Sequence, residues 1–410
     1  MSKNICSVCN LEFEDEYFDK KQNKCILHCE KDDYTKDNKE IFSKFIKILV
    51  KKFKNTQDYK DGYLLELKNI VYPLHNFSNF EDVDIHFEQS KFLNDVILRS
   101  KDISFIQFFD CKFFSNFCTS GNLGNFDKEL ILRNCIFEVN NNAQTSFNLG
   151  NTNFQKFVDL RESKFHINVN LDDSSFEDNV FFNQCKFSYE LNLEDTIFYE
   201  KADFFKINLE KGVSNRETAR IIKDSFEQQN NIIEANKFYA LEMKEREKEL
   251  ERDIKEGKNF FEWIVFKIHG LSSNHSQDWL LALFWIFIVG FIASYYDFNL
   301  IQNSEDKYIH YNLSSIFKTI GLIFIILFID RLCKIKDKFI NISYFIISSY
   351  LIYIYATEDY LLSLFSQTIN PFSVMKTNDP INGIQLFFKI IIAYLIYQLI
   401  ISIRQNTRRK

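Results

Sequence analysis

Large apolar side chains recur at a fixed interval through the middle of the chain. From Phe154 onward they lie eleven residues apart, and a second series interleaves with the first in alternating steps of six and five. Together the two series are Phe154, Leu160, Phe165, Leu171, Phe176, Phe182, Phe187, Leu193, Phe198, Phe204 and Leu209. The period fits neither the 3.6 residues of an α-helical turn nor the two of a β-strand. It predicts an internal repeat whose apolar positions form one continuous core.

A small residue, any residue and then Phe form a recurring triplet that marks the same repeat. The triplets are Ser90–Phe92, Cys111–Phe113, Cys135–Phe137, Thr152–Phe154, Ser163–Phe165, Ser174–Phe176, Cys185–Phe187 and Thr196–Phe198. This pattern resembles the pentapeptide-repeat family, in which the large residue and the small residue two before it point inward. The resemblance implies a right-handed quadrilateral β-helix over 77–211, with Phe ladders along coils about 4.8 Å apart. The spacing slips before residue 152, and we expect 118–129 to form a loop.

Four later apolar segments are long enough to cross a bilayer, at about 279–296, 313–331, 339–356 and 385–403. Basic residues concentrate before the first segment, between the second and third, and after the fourth, whereas the loops 297–312 and 356–383 hold one Lys each. The positive-inside rule therefore predicts a four-helix transmembrane domain over 278–410 with both termini cytoplasmic.

The stretch 360–375 is moderately apolar and lies just before the last predicted span. It could re-enter the membrane or lie at its outer surface. The region is similar to the channel-like C-terminal part of membrane-bound bacterial pentapeptide-repeat proteins, although it contains no potassium-filter motif. This similarity implies a location in the bacterial inner membrane.

Two charged segments flank the repeat, at 38–76 and 214–275. The first has apolar residues at helical spacing among lysines, and we expect it to be a basic helical connector that caps the repeat. The second predicts a long charged linker helix, with Ser214 and Glu217 as a capping box, followed by an interfacial helix. His269 and His275 have no ligand-like neighbours in the sequence, so no role is assigned to them.

Residues 1–35 predict a small zinc-knuckle-like module. Cys6 and Cys9 are separated by two residues, a spacing that suits two ligands of one tetrahedral ion, and Cys25 and Cys29 can complete the set. His28 is an alternative to Cys29 as the fourth ligand. A structural Zn²⁺ would stabilise a segment with too few apolar side chains to fold by burial alone.

Composition narrows the choice of function. The chain has 46 Phe but only 10 Gly and 3 Pro among its 410 residues, which suits a repeating scaffold with one preferred core residue. The net charge of −6, with 22 acidic and 13 basic residues in 77–211, does not favour nucleic-acid binding. Neither a secretory signal nor the residue set of an enzyme active site is recognisable.

We therefore expect an inner-membrane-anchored scaffold whose cytoplasmic β-helix and zinc module bind an unknown protein partner, and which could form a homo-oligomer. The membrane lipid bilayer is the other expected partner. The alternative expectation is a subunit of an oligomeric ion channel or transporter, with a pore near residues 360–403.

Overall fold

The chain forms two compact units, Met1–Glu245 and Arg246–Lys410. The computed structural model describes residues 4–31, 39–54, 64–73, 84–102, 105–119, 124–138, 145–304, 321–322, 325, 338–357, 363–370 and 382–407. The predicted span at 313–331 lies outside this described part except for three residues.

Short strands dominate the first unit. They are β1 (Asn4–Ile5), β2 (Glu12–Phe13), β3 (Phe18–Asp19), β4 (Lys24–Cys25), β5 (Leu64–Lys68), β6 (Val71–Tyr72), β7 (Asp84–Glu88), β8 (Lys91–Phe92), β9 (Val96–Leu98), β10 (Phe105–Phe109), β11 (Lys112–Phe113), β12 (Phe117–Thr119), β13 (Gly124–Phe126), β14 (Leu130–Arg133), β15 (Ile136–Phe137), β16 (Ser146–Asn148), β17 (Thr152–Phe154), β18 (Val158–Asp159), β19 (Lys164–Phe165), β20 (Asn168–Asn170), β21 (Ser175–Phe176), β22 (Val180–Phe181), β23 (Lys186–Phe187), β24 (Leu191–Asn192), β25 (Ile197–Phe198), β26 (Ala202–Asp203) and β27 (Asn208–Leu209).

The described helices are α1 (Lys39–Lys54), α2 (Arg216–Gln228), α3 (Ile232–Lys255), α4 (Phe260–Ser273), α5 (Trp279–Ser304), α6 (Lys338–Thr357), α7 (Ser363–Ile369) and α8 (Gly383–Thr407). Short 3-10 helices span Asp15–Tyr17 and Ser100–Asp102.

Strands β5 to β27 wind into a parallel β-solenoid of about six turns. They build four parallel sheets, with the orders β5-β7-β10-β14-β18-β22-β26, β6-β8-β11-β15-β19-β23-β27, β9-β12-β16-β20-β24 and β13-β17-β21-β25. Paired positions in the regular coils lie 22 residues apart, as with Phe165 and Phe187. The eleven-residue period is therefore half a turn, and successive members of one series stand in alternate sheets.

Stacked rings fill the interior of the solenoid. Phe165 and Phe187 lie 4.9 Å apart between centroids with ring planes 5° from parallel, and Phe182 and Phe204 lie 4.8 Å apart at 5°. Nine of the eleven predicted core residues are buried, and Phe198 and Leu209 in the last turn are half-buried. Parallel strands with direct register place like side chains above one another, which produces these ladders.

At the corners of the solenoid, residues other than glycine adopt a left-handed backbone conformation. Residues with φ between 50° and 64° precede the small residue of successive triplets: Gln89, Asp110, Asn134, Asn151, Glu162, Asp173, Gln184 and Asp195. The small side chain that follows donates to a carbonyl of the preceding turn, as Ser163 Oγ does to Leu132 O at 2.8 Å. Cys135 and Cys185 make the same contact with their thiols, at 3.4 and 2.9 Å. The small residue thus both fits the corner and pairs a buried carbonyl.

The structure extends the solenoid beyond the predicted limits at its N-terminal end. Strands β5 and β6 lie inside the predicted connector 38–76, of which only α1 and the start of the solenoid are described. The expectation of a loop over 118–129 is wrong where described, since β12 and β13 enter that stretch and pair in register. The largest spacing between described paired positions is 30 residues, from Phe117 to Phe147, and Phe137 pairs with Phe165, 28 residues away.

The helix that follows the solenoid begins and ends differently from the prediction. Asn215, not Ser214, is its N-cap, and its Oδ1 accepts from the N–H of Thr218 at 2.8 Å. Ser214 Oγ instead donates to Leu191 O at 2.8 Å, because the last turn of the solenoid leaves that carbonyl unpaired by a following strand. The predicted single helix is two, α2 and α3, with Asn230 at a φ of 56° between them.

The second unit is helical. The end of α3 and α4 form a hairpin held by ion pairs from Arg246 to Glu262 at 2.6 Å and from Lys267 to Glu247 at 2.7 Å. Helix α5 packs against α6, α7 and α8. Two described helical segments, Trp279–Leu300 and Gly383–Thr407, are long and apolar enough to cross a membrane, and Ile340–Tyr355 is a shorter apolar helix.

Candidate metal centre

Two tight turns at the start of the chain bring four ligand-type side chains together. After β1, the N–H of Asn10 bonds the carbonyl of Cys6 at 2.9 Å, which folds Cys6 and Cys9 onto one side. After β4, the N–H of His28 bonds the carbonyl of Cys25 at 2.9 Å, which turns the His28 ring towards the Cys25 thiol. The left-handed conformation of Asn10, with a φ of 55°, completes the first turn.

The ligand atoms of Cys6, Cys9, Cys25 and His28 all lie within 4.8 Å of one another. His28 Nδ1 is 3.0 Å from Cys25 Sγ and 3.6 Å from Cys6 Sγ. Atoms about 2.0–2.3 Å from a central tetrahedral ion would be separated by distances of this order. Three thiols and one imidazole are a closed, four-ligand donor set, and this group could hold a metal ion.

The fourth position belongs to His28 and not to Cys29. The sequence alone allowed either residue, and the primary choice, Cys29, lies outside the cluster. Its thiol points to the carbonyl of Ile26 at 3.8 Å. Within the turn that begins at Cys25, His28, three residues further on, faces the other ligands, whereas Cys29, four residues further on, faces the neighbouring backbone.

A contact with the solenoid fixes the orientation of the His28 ring. Its Nε2 lies 3.2 Å from the carbonyl oxygen of Lys68 in β5. A carbonyl oxygen can only accept, so Nε2 carries the proton and Nδ1 presents a lone pair to the three thiols. Such an outer contact is typical of metal-binding histidines, because it sets both the tautomer and the ring direction.

The protonation of the three thiols is uneven. Burial opposes ionisation of Cys6, but backbone N–H donors, that of Cys25 first, outweigh it and lower the pKa of its thiol. The Cys25 N–H is 3.2 Å from Cys6 Sγ. Burial raises the pKa of Cys25 and of Cys9. An ion bound here would therefore release protons from Cys9 and Cys25 and stabilise them as thiolates.

The Cys/His cluster closes the N-terminal end of the solenoid core. Leu27 and Phe45 are buried in the same apolar cluster as the Phe ladders, and Phe45 packs edge-on against Tyr72 at 5.7 Å. The N–H of Val71 in β6 donates to the carbonyl of Leu27 at 2.9 Å, so Leu27 provides the acceptor that a preceding strand would otherwise provide. Residues 4–31 and α1 together thus cover the first coil, which an exposed solenoid end requires.

Sequence reasoning missed two features of the described residues. The carbonyl of Lys68 as the partner of His28 has no signal in the sequence, since any backbone carbonyl could serve. His269 and His275, to which no role was assigned, lie with their Nδ1 atoms 3.1 Å apart. Their spacing of six residues gives no helical face in common, so no pattern would have paired them.

Compared with known proteins, the chain matches no family model, no curated protein and no solved structure at a significant level.

Proposed function

We propose that this protein is a membrane-anchored scaffold that binds a protein partner along the outer faces of its solenoid. The observation that carries the proposal is the alignment of like side chains on those faces. Strand register places Lys112 above Lys91 and Lys186 above Lys164 on one sheet. A second sheet carries Asn148, Asn170 and Asn192 in direct register, with Asn192 Nδ2 donating to Asn170 Oδ1 at 2.8 Å.

Such rows suit an extended peptide better than a small molecule. Their rungs repeat at the strand spacing of about 4.8 Å, so several contacts can form along one chain lying across the coils. Lys112 and Lys164 are exposed, and Lys186 pairs with Glu210 at 2.8 Å. Two pairs of stacked lysines, separated by Ile136 and accompanied by acidic neighbours, favour an acidic peptide segment that exchanges with these local ion pairs.

Photo-crosslinking in cells tests the scaffold proposal. A crosslinker placed at position 112 or 164 of the full chain should capture the same protein from both rungs. Crosslinkers at Asn125 and Asn153, on the sheet formed by β13 and β17, are the matched controls and should capture it poorly. The double change Lys112→Glu and Lys164→Glu should abolish capture by a crosslinker at position 91. Equal capture from both sheets, or capture from neither, would reject a binding face on the lysine sheet.

We further propose Zn²⁺ as the resident ion of the Cys/His cluster, since three thiolates and one imidazole suit a structural zinc site. The proposal includes the quadrilateral, right-handed pentapeptide-repeat form of the solenoid, which four parallel sheets support. It also includes four membrane spans in a bacterial inner membrane with both termini cytoplasmic, supported by the basic loops. Neither catalysis nor nucleic-acid binding forms part of the proposal.

A second candidate function, a pore subunit, is favoured by the position of α7. Its Phe365 lies 4.5 Å from Phe291 between ring centroids, and a Cβ on Gly290 would lie 2.8 Å from the Phe365 ring. Gly290 stands near the middle of Trp279–Leu300, so α7 packs at mid-depth of a helix long enough to span. A re-entrant segment before the last span would occupy that position.

Ion flux through liposomes containing the purified full chain tests the second candidate. Flux that Gly290→Val reduces and Ile292→Leu leaves unchanged would support a pore, because only the first change collides with Phe365. Ile292 is 53% exposed and serves as the control on the same helix. Absence of flux at high protein density would reject the pore and leave the scaffold proposal untouched.

A further inference from the structure

The turn between α4 and α5 has an unusual backbone. Three consecutive residues, Asn274, His275 and Ser276, have φ values of 48°, 53° and 64°. For residues other than glycine this left-handed region is unfavourable, so contacts from the surroundings must hold the turn. His275 and Ser276 are buried, which shows where those contacts lie.

A chain of polar contacts from α4 to α8 holds this turn. Ser273 Oγ and Ser276 Oγ donate to Gln398 Oε1 at 3.0 and 3.4 Å. His269 Nε2 lies 3.3 Å from Ser276 Oγ, and His269 Nδ1 lies 3.1 Å from His275 Nδ1. All of these side chains belong to the helical unit.

The directions of these hydrogen bonds fix the protons on both imidazoles. Ser276 uses its hydrogen towards Gln398, so His269 Nε2–H donates to Ser276 Oγ. The neutral His269 ring then has a lone pair at Nδ1, which accepts from His275 Nδ1–H. His275 Nε2 is left as the one ring nitrogen of the pair that carries neither a proton nor, among the described residues, a hydrogen-bond partner.

This nitrogen faces a carboxylate. His275 Nε2 is buried and lies 3.8 Å from Glu247 Oε2 on α3. On the side of α4 it faces Gly270, where an added Cβ would lie 3.1 Å from Nε2. A lone pair beside a carboxylate is repelled, whereas an N–H at the same place would be attracted.

We propose that His275 Nε2 is a proton-binding site with Glu247 as its counter-ion, and that its occupancy controls how firmly α3 is held to the α4–α5 turn. The proton comes from hydronium in the solvent, and one O–H bond of the hydronium breaks as the N–H bond forms. The imidazolium that results shares its Nδ1–H with His269 and directs its Nε2–H at Glu247. The helical unit thereby responds to acidification at the end of a helix long enough to span a membrane.

The surrounding charges set the range of this response. Glu247 on α3 favours the charged ring, while Lys267 on α4 opposes it and is itself paired with Glu247 and Glu251. Burial, the largest influence, lowers the pKa of His275 and of His269. Among the described residues, the other titratable groups near the turn are Tyr394 of α8, 3.3 Å from Ser272 Oγ, and Asp278 just before α5, whose Oδ1 accepts from the N–H of Leu281.

The sign of the response follows from these influences. The ring is neutral at neutral pH and gains its proton only below the usual histidine range of about 6.5. One proton strengthens the contact between the two rings, because a charged donor meets a neutral acceptor, but burial, which lowers the pKa of His275, outweighs this gain, and acidification therefore loosens the turn. A second proton would place two N–H groups face to face at Nδ1, so the pair takes up a single proton while the rings stay in contact.

Nuclear magnetic resonance of the full chain in nanodiscs, with isotope-labelled histidine, tests the proposal directly. We expect His275 to titrate below the usual histidine range, and Glu247→Gln to lower its pKa by about one further unit. Glu251→Gln removes the same charge from the same helix and the same lysine, and should leave the His275 titration unchanged. An identical His275 pKa in wild type and Glu247→Gln would overturn the assignment.

Hydrogen exchange supplies the structural readout and needs no variant. Protection of the amides in 246–251 and 272–278, corrected for the intrinsic effect of pH, should fall at least about threefold between pH 7.5 and pH 5.5, because His275 binds its proton more readily once the turn opens. The fall should be larger in Glu247→Gln, which removes the counter-ion, and the same as wild type in Glu251→Gln. Protection that does not change with pH in the wild-type chain would show that the pair is only a structural contact.

Discussion

The regular coils at 145–211 and the N-terminal residues 4–31 use opposite means to order a short stretch of chain. In the coils, the same apolar positions recur every turn, and rings such as Phe154, Phe176 and Phe198 stack in register from one turn to the next. In the N-terminal residues, the strands are two residues long, and the segment folds around four ligand atoms that lie close together. Yet both belong to one apolar cluster, because the N-terminal residues cover the end of the coils.

The two regions therefore differ in how substitutions affect their stability. Stability in the coils is distributed, since each turn contacts only its neighbours and contributes its own share of buried area. Stability in the N-terminal residues is concentrated, since removal of one ligand removes the common centre of all four. We therefore expect a graded response in the coils and an all-or-none response in the N-terminal residues.

The largest expected effect is loss of the cluster itself. Cys25→Ser should weaken Zn²⁺ retention by the purified protein more than about 100-fold, because even changes in residues behind the ligands cost 10–100-fold. Metal content measured by mass spectrometry and hydrogen exchange of residues 4–31 would report it. Cys29→Ser is the matched control and should retain the metal. Equal retention in both variants would contradict the Cys6, Cys9, Cys25 and His28 ligand set.

Neighbouring phenylalanines in the last turn provide the next contrast. Phe204 is fully buried in a ladder, whereas Phe205 beside it is 46% exposed. Phe204→Ala should lower the free energy of unfolding of the solenoid by about 3–5 kcal/mol. Phe205→Ala should change it by less than about 0.5 kcal/mol. Hydrogen exchange of β22 and β26 measures both, and similar losses would mean that the ladders do not dominate stability.

A buried acid gives the coils a pH dependence. Asp159 is fully buried and accepts from Arg133 Nε at 2.5 Å and Arg161 Nη2 at 2.6 Å. Burial opposes its ionisation, but the two guanidinium groups outweigh burial and lower its pKa. The stabilisation is therefore present above the unfolded pKa of about 3.9 and is lost as the pH falls through the lower folded value.

Removal of that charge should cost about 3 kcal/mol at pH 7, because two guanidinium groups lose their partner. Asp159→Asn, followed by hydrogen exchange of β14 and β18, measures the loss. The exposed Asp173→Asn, at a corner whose φ of 51° asparagine tolerates, is the control and should be neutral. The Asp159→Asn variant should also lose less stability than wild type on acidification to about pH 3, and an equal loss would assign the pH dependence to other groups.

The smallest effect concerns the corners. Ser163→Ala removes the donor to Leu132 O and should cost about 1 kcal/mol. Ser188, whose hydroxyl contacts the outward side chains of His166 and Glu210 and not a carbonyl of the preceding turn, is the control for the same substitution. Hydrogen exchange of β19 compares the two. If Ser163→Ala were neutral, the small residue of the triplet would serve only to fit the corner.

Much of the solenoid could be predicted from the sequence, because the interactions that stabilise it are local and recur in every turn. The apolar period predicted an internal repeat and the resemblance to pentapeptide repeats implied a β-helix, and the structure confirms a parallel β-solenoid. The sequence did not predict that Asn215, and not Ser214, caps the helix. It also did not predict strands within 118–129. Both depend on which backbone groups the neighbouring turn leaves unpaired, and that is a property of stacked coils and not of the local sequence.

Three features follow from short stretches of sequence alone: the repeat, the Cys-x-x-Cys spacing that brings two thiols to one point, and the apolar segments of membrane length. Each of these is a short-range pattern whose physical meaning is the same wherever it occurs. The choice of His28 over Cys29 as the fourth member of the cluster depends on long-range folding, since the carbonyl of Lys68, forty residues away, orients the His28 ring. The tertiary structure also brought His269, His275 and Glu247 together, because that contact requires α3 to fold back along α4 and the turn before α5 to adopt a left-handed backbone.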